Sequence, residues 1–451
     1  MHNENNKWSS KLAFYFVSVG AAVGLGTLWR FPYLAGQYGG VFILVFIVVC
    51  LVVTAPILAA EFMLGRSGRG SPPAAVRTVA LASGRSSRWS LTGWLGTLAI
   101  FAIMTYYAVI GGWVFAYVGT FATGELAGAD AGVIGRRFQA LLSSASTLAL
   151  WHFLFLAAAV GISVAGLARG IELANKVMIP GLFVLLLALV VYAFAAGDLD
   201  RGAAFVFRAD WSQLDGSLVL AAVGQAFYAT GVGMAIMMAY GAYLPRRVSL
   251  LRSGAVVSGS IVAASILASL VVFPLAFRYG VDPAQGPELA FIVLPAIFAE
   301  MPGGQVAGLA FFLLLAFAAL SSAIAGLEPP SLVLRERFGL SRHSAVAIVG
   351  VVLWLAGLPV VLSFNLWEDL RPLAAVPPLA GQGIFELLDY ASANVLLPVS
   401  AFLTCLFVAW RLPVSFLEEQ FGHAGPGLLA YRVVLGAVCP LAILLLFVLS
   451  L

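Results

Sequence analysis

An apolar stretch long enough to cross a bilayer has little use for glycine. Residues 18–32 nevertheless read Ser18-Val19-Gly20-Ala21-Ala22-Val23-Gly24-Leu25-Gly26-Thr27-Leu28-Trp29-Arg30-Phe31-Pro32. Each interior glycine costs a helix about 1 kcal/mol relative to alanine, a poor recipe for a plain anchor. Backbone that leaves the helix at membrane depth survives only where protein or a water-filled cavity satisfies its amides and carbonyls. The run therefore predicts a helix broken over residues 22–26, whose freed main-chain groups bind something. Close helix packing is the competing reading, because small residues along a membrane helix also mark contact faces.

The surroundings are those of a polytopic membrane protein. The chain is 62% hydrophobic and 10% charged, against about 45–50% and about 25% in soluble domains. Apolar runs of about 20 residues give about eleven expected spans. They lie near 10–36, 40–64, 91–122, 147–167, 172–196, 216–243, 254–278, 304–334, 343–363, 384–410 and 428–450. Linkers near 66–90, 123–146, 197–215 and 279–303 suit amphipathic surface helices and caps rather than a soluble domain. Basic residues are unevenly shared between the two sides. One side keeps only Arg30, Arg136, Arg137, Arg201, Arg208, Arg278 and Arg371, and the remaining loop lysines and arginines fall on the other. That bias places the N-terminus in the cytoplasm. An odd number of spans then puts the C-terminus outside, in a multi-pass protein of the cell inner (cytoplasmic) membrane. No cleavable signal pattern precedes the first span. Cys50, Cys405 and Cys439 sit in apolar segments with neither disulfide nor metal spacing. His2, His152, His343 and His423 are scattered. No nucleophile–base set, carboxylate pair or metal cluster argues for an enzyme, and nothing argues for nucleic acid or an obligate protein partner. The partners expected are a small molecule and the lipid bilayer.

The sixth span repeats the anomaly of the first, with Gly224, Gly231 and Gly233 inside Gly224-Gln225-Ala226-Phe227-Tyr228-Ala229-Thr230-Gly231-Val232-Gly233-Met234. Two interrupted spans five helices apart suggest an inverted repeat with its binding site between the breaks. On this reading the chain is one all-α integral membrane domain. Residues 10–196 and 216–410 form a 5+5 repeat with broken helices 1 and 6, and 428–450 adds one extra helix.

Between Trp8 and Trp410 the sequence resembles the neurotransmitter:sodium symporters, which have the leucine-transporter fold and serve as a reference case for broken-helix sites. The resemblance rests on Trp8, Gly24-Leu25-Gly26, Trp29-Arg30-Phe31-Pro32, Glu61 with Gly65-Arg66, Tyr106-Tyr107 with Trp113, Gly170-Ile171-Glu172 followed by Asn175-Lys176-Val177-Met178-Ile179-Pro180, Gly224-Gln225-Ala226-Phe227, and Leu294-Pro295. It implies a substrate amine near the carbonyls of Ala22 and Tyr228, and a carboxylate at the amides of Leu25 and Gly26 and the Tyr107 hydroxyl. Monoamine-selective members carry an aspartate where this chain has Gly24, so the ligand supplies its own carboxylate, as an amino acid does. The side-chain pocket would be lined by Ile103, Tyr228, Gly231, Met234, Ser322 and Gly326. The two glycines make it roomy enough for large neutral or aromatic amino acids.

The family's second sodium site maps to Gly20, Val23, Ala318, Ser321 and Ser322, an all-oxygen set suited to a hard cation. Its first sodium site is doubtful here, because the matching positions are Thr27, Ala229 and Ile261. Chloride is not expected: Phe46 replaces a tyrosine, although Gln225 and Ser265 remain. Arg30 and Asp389 match the outer gate. At the inner gate the family arginine is Asn5, with Lys7 nearby, and Glu336 beside Arg335 holds the acid position, which implies a weaker or rearranged latch. Glu61 matches a residue that bonds loosened helix 6 backbone. Glu328, an intramembrane carboxylate before Pro329-Pro330, is a possible proton site, with a structural hydrogen bond as its alternative. The function implied is sodium-coupled import of an amino acid by alternating access. Its alternatives are a proton-coupled or facilitative carrier and a non-transporting amino-acid sensor.

Overall fold

The computed structural model describes residues 8–281, 289–376, 379–422 and 425–449, and no strand occurs among them. The helices are α1 (Lys11–Ala22), α2 (Phe31–Val49), α3 (Ala55–Gly68), α4 (Pro72–Ala82), α5 (Leu91–Thr123), α6 (Ala131–Ser143), α7 (Ala145–Val164), α8 (Leu173–Ala196), α9 (Leu199–Phe207), α10 (Gly216–Thr230), α11 (Ile236–Gly241), α12 (Leu250–Arg278), α13 (Leu294–Glu300), α14 (Gly304–Phe338), α15 (Arg342–Ser363), α16 (Ile384–Tyr390), α17 (Leu397–Leu406), α18 (Val414–Phe421), α19 (Pro426–Val433) and α20 (Cys439–Leu449). Wider π-helical turns, among them Gly26–Arg30, Cys50–Thr54 and Leu167–Glu172, join several of these.

Nine helical stretches among the described residues are long and apolar enough to cross a membrane. The first and sixth expected spans supply the pieces that fall short, because each is divided: α1 has 12 residues and α10 has 15. Past the first break the helix runs on from Gly26 to Gly68 with one bend, at Gly39 (φ 73°). The left-handed backbone there favours glycine, and it separates the first expected span from the second.

The four linkers carry short helices, although α13 is not a surface helix, since Leu294, Pro295, Ala296, Ile297 and Phe298 are buried. Helices α4, α6, α9 and α13 occupy all four of them. Their starts are set by local chemistry: the side chains of Asp130 and Asp198 accept from Val133 N at 2.8 Å and Arg201 N at 3.1 Å, satisfying amides that a helix N-terminus leaves free. At the centre, α14 packs along α5, α7, α8 and α1. This puts the serines of α14 opposite the broken end of α1.

Candidate substrate and ion site

Helix α1 stops because Val23 leaves helical geometry (φ −78°, ψ 88°) after its N–H bonds back to Val19 O at 2.7 Å. The helix re-forms beyond the break, with the Thr27 and Leu28 amides reaching Gly24 O at 3.1 and 3.3 Å. Between these points Leu25 N has no carbonyl partner and donates instead to Tyr107 Oη on α5, at 3.4 Å. The second break lies in the C-terminal half of the glycine-bearing run. Gly224 is ordinary helix inside α10, and the turn is made by Gly231 (φ 67°), Gly233 (φ 84°) and Ala235 (φ 57°). A non-glycine residue in the left-handed region costs on the order of 1–3 kcal/mol and persists only where its surroundings hold it. Glu61 is part of that hold: it is fully buried, and Oε1 accepts from Gly233 N at 2.8 Å.

A cavity opens between the two breaks. Its wall includes Ala22, Leu25, Gly26, Ile103, Tyr107, Tyr228, Gly231, Met234 and Ser322, all drawn from the expected set. Gly326 is not on that wall. Ala21, Ile100, Met104 and Ile236, which no motif in the sequence marked, are on it, as are Gly24 and Ala229. Helical spacing was the available signal, since Ile100, Ile103, Met104 and Tyr107 follow an i, i+3, i+4, i+7 stripe on α5. None of the lining residues is charged. Gly24 is held tightly: a Cβ there would stand 2.7 Å from Ser322 Oγ and 3.0 Å from Tyr107 Oη. No carboxylate side chain fits at this position without moving both.

Of the residues expected to hold a cation, Ser322 is the one whose side chain reaches across to α1, and Ser321 bonds back to its own helix. Ser322 Oγ donates to Gly20 O at 3.4 Å and Ser321 Oγ to Ala318 O at 3.0 Å. Carbonyls and hydroxyls without a carboxylate suit a hard cation of low charge. The positions of the doubtful first site look different. Thr27 Oγ1 is buried without a partner, and Ala229 and Ile261 are buried but offer no side-chain oxygen. Nearby, Gln225 Nε2 donates to Gly26 O at 2.7 Å, while Gln225 Oε1 and Ser265 Oγ have no partner. Phe46 packs on Phe31, ring centroids 4.6 Å apart, and brings no hydroxyl.

The gate residues have other partners in this structure. Arg30 and Asp389 form no salt bridge, although all four salt bridges among the described residues involve a glutamate. The Arg30 guanidinium lies over the Tyr228 ring, 4.7 Å from its centroid, a cation–π contact with a ring that lines the cavity. At the opposite end, Asn5 and Lys7 lie outside the described residues. Glu336 accepts from Ser71 N at 2.7 Å and Ser71 Oγ at 2.5 Å, capping α4. Trp8 Nε1 donates to Tyr240 O at 3.2 Å. Ser9 N donates to Glu172 Oε2 at 3.0 Å, and Lys176 Nζ to Glu172 Oε1 at 2.6 Å.

Glu328 has partners that argue against the possible proton role. Arg342 grips both its oxygens, Nη1 to Oε1 at 2.9 Å and Nη2 to Oε2 at 2.6 Å, and Tyr243 Oη donates to Oε1 at 2.7 Å. Three donors, two of them from a guanidinium, stabilise the anion. Protonation would leave the Arg342 guanidinium without its counter-charge, held by the bond from Nε to Ser163 O at 3.1 Å. Arg342, counted in the sequence only as a loop cation, is the first residue of α15.

Comparison with known proteins agrees with this geometry. The chain matches the sodium:neurotransmitter symporter family over residues 5–134 and 137–451. A sodium-dependent transporter of Bacillus subtilis, itself uncharacterised, is 31% identical over 98% of this chain and 96% of its own length. A sodium-dependent transporter of Haemophilus influenzae, likewise uncharacterised, is 30% identical over 92% of each. The crystal structure of MhsT in complex with L-phenylalanine superposes with a TM-score of 0.90 at 34% identity, covering 99% of both chains. The chain belongs to the sodium:neurotransmitter symporter family, whose members are multi-pass secondary transporters rather than enzymes.

Proposed function

We propose that the protein imports a large neutral or aromatic amino acid together with sodium, through the cavity between the two breaks. The observation that carries this reading is the uncharged wall holding an unwound amide and a hydroxyl. With no carboxylate to meet an amine, the ligand brings both charges. Its ammonium meets the carbonyls of Ala22 and Tyr228, and its carboxylate meets the amides of Leu25 and Gly26 and the Tyr107 hydroxyl. Main-chain N–H groups at the start of a half-helix are a natural anion site. Ile100, Ile103, Met104, Met234 and Ile236 give the side-chain end an apolar surface, which favours hydrophobic ligands. The likeness to a transporter solved with L-phenylalanine points the same way.

On this reading sodium binds at Gly20, Val23, Ala318, Ser321 and Ser322, one ion per cycle. The loss of side-chain oxygens at Ala229 and Ile261 leaves the first family site unfavourable. A cation bridging α1 and α14 stabilises one arrangement of those helices, and the substrate completes it. Closure then brings Arg30 toward Asp389 while the Glu328–Arg342 end opens. In the cytoplasmic membrane the N-terminus faces inward and the C-terminus outward. Thermal-shift screening of the amino acids in sodium, potassium or choline tests the reading. A stabilisation by phenylalanine, tryptophan or leucine that requires sodium is expected. Stabilisation that is indifferent to the cation would overturn the coupling.

A further inference from the structure

Gly326 was expected to enlarge the side-chain pocket directly. In the structure it is covered, and what covers it is Met104. A Cβ built on Gly326 would stand 2.7 Å from Met104 Sδ, 2.9 Å from Met104 Cγ and 3.3 Å from Ile100 Cδ1. Any residue larger than glycine therefore displaces the thioether. Gly326 sits inside α14 with ordinary helical backbone, so no left-handed conformation calls for glycine there. A mid-helix glycine is unfavourable in itself, and here the space it leaves is taken by a side chain that also lines the cavity. Methionine suits the task, being unbranched, polarisable and able to refill irregular space.

We propose that Met104 is the retractable floor of the side-chain pocket, with Gly326 as the recess into which its thioether withdraws, and that together they set the upper size limit of the amino acid accepted. This deepens the proposed function and rests on it. Gly326 is a positioning residue that acts chiefly through Met104, the side chain nearest to it, with Ile100 next. Filling the recess pushes the thioether into the cavity, which shortens the space for a long side chain and leaves a short one unaffected.

The test uses full-length protein in sodium and measures binding of valine, leucine, phenylalanine and tryptophan by calorimetry. Gly326→Ala is expected to weaken phenylalanine and tryptophan by about tenfold or more relative to valine, within the range that one methylene group commands in an apolar pocket. Adding Met104→Ala to that variant restores the large ligands. Met104→Ala alone moves the ratio the opposite way, favouring tryptophan over valine, and supplies the answer should Gly326→Ala not fold. Equal weakening of all four ligands, or no rescue in the double variant, overturns the proposal while the amino-acid reading stands. Failure of the unsubstituted protein to bind any of the four overturns the amino-acid reading itself.

Discussion

Replacing Glu328 by glutamine should loosen the end of the molecule where α14 and α15 meet the segment after α11. The carboxylate accepts three hydrogen bonds, and both charges of the pair are withdrawn from water, with side-chain exposures of 1% for Glu328 and 14% for Arg342. Glutamine keeps the shape and one acceptor but removes the counter-charge. Deleting one member of a buried ion pair costs about 3–5 kcal/mol. Since the amide oxygen still accepts one bond, the lower end applies, about 3 kcal/mol, or roughly a hundredfold in an equilibrium constant. That cost falls on the closed arrangement, because opening this end hydrates Arg342. Ser331, one turn along α14 and 1% exposed, reports the change. A cysteine placed there, with Cys50, Cys405 and Cys439 replaced, should react with a maleimide about a hundred times faster in the glutamine variant. Labelling and Tm both unchanged would refute the latch. Sodium-driven uptake by the same variant should keep its full pH dependence, and loss of that dependence would return Glu328 to the role of proton carrier.

Further outcomes follow from the same contacts. Gly24→Ala places a methyl against Ser322 Oγ and Tyr107 Oη, and should abolish sodium-dependent stabilisation by amino acids while the protein still elutes as a folded species. Ser321→Ala and Ser322→Ala each remove a proposed sodium ligand, and should raise the sodium concentration at half-maximal binding by tenfold or more, read by calorimetry at fixed amino acid. Tyr107→Phe should weaken amino-acid binding by about 1.5–3 kcal/mol, the scale of a hydrogen bond to a charged group, with little effect on sodium alone. Glu61→Ala leaves the buried Gly233 amide without its acceptor, and should cost about 1–3 kcal/mol of stability, measured as a lower Tm.

Much of this architecture was legible in the chain, because the bilayer narrows the choices. Glycine in the middle of an apolar run is conspicuous at residues 24 and 26 and again at 231 and 233, and both spans are divided there. The pattern did not say which of the three glycines of the sixth span makes the break, because Gly224 fits inside a helix and sequence spacing does not distinguish a packed glycine from a left-handed one. Ala235, with positive φ, could not be foreseen, since its backbone is imposed by Glu61 and the packing around it. The cavity wall was found where main-chain breaks or motif residues marked it. It was missed at Ile100, Met104 and Ile236, which look like any other apolar residues of a membrane helix. Pairings across distant elements were the least legible. Arg342 reads as a loop arginine, and only the fold brings it to Glu328. Arg30 could be assigned to the outer gate, but its seat on Tyr228 depends on ring placement that no spacing encodes.

Accumulation of labelled phenylalanine or leucine in proteoliposomes under an inward sodium gradient tests the central claim most directly. Uptake should rise above the equilibrium level, collapse when sodium is equal on both sides, and persist when the proton gradient is dissipated. Binding without accumulation, or accumulation driven by protons with sodium absent, would contradict it.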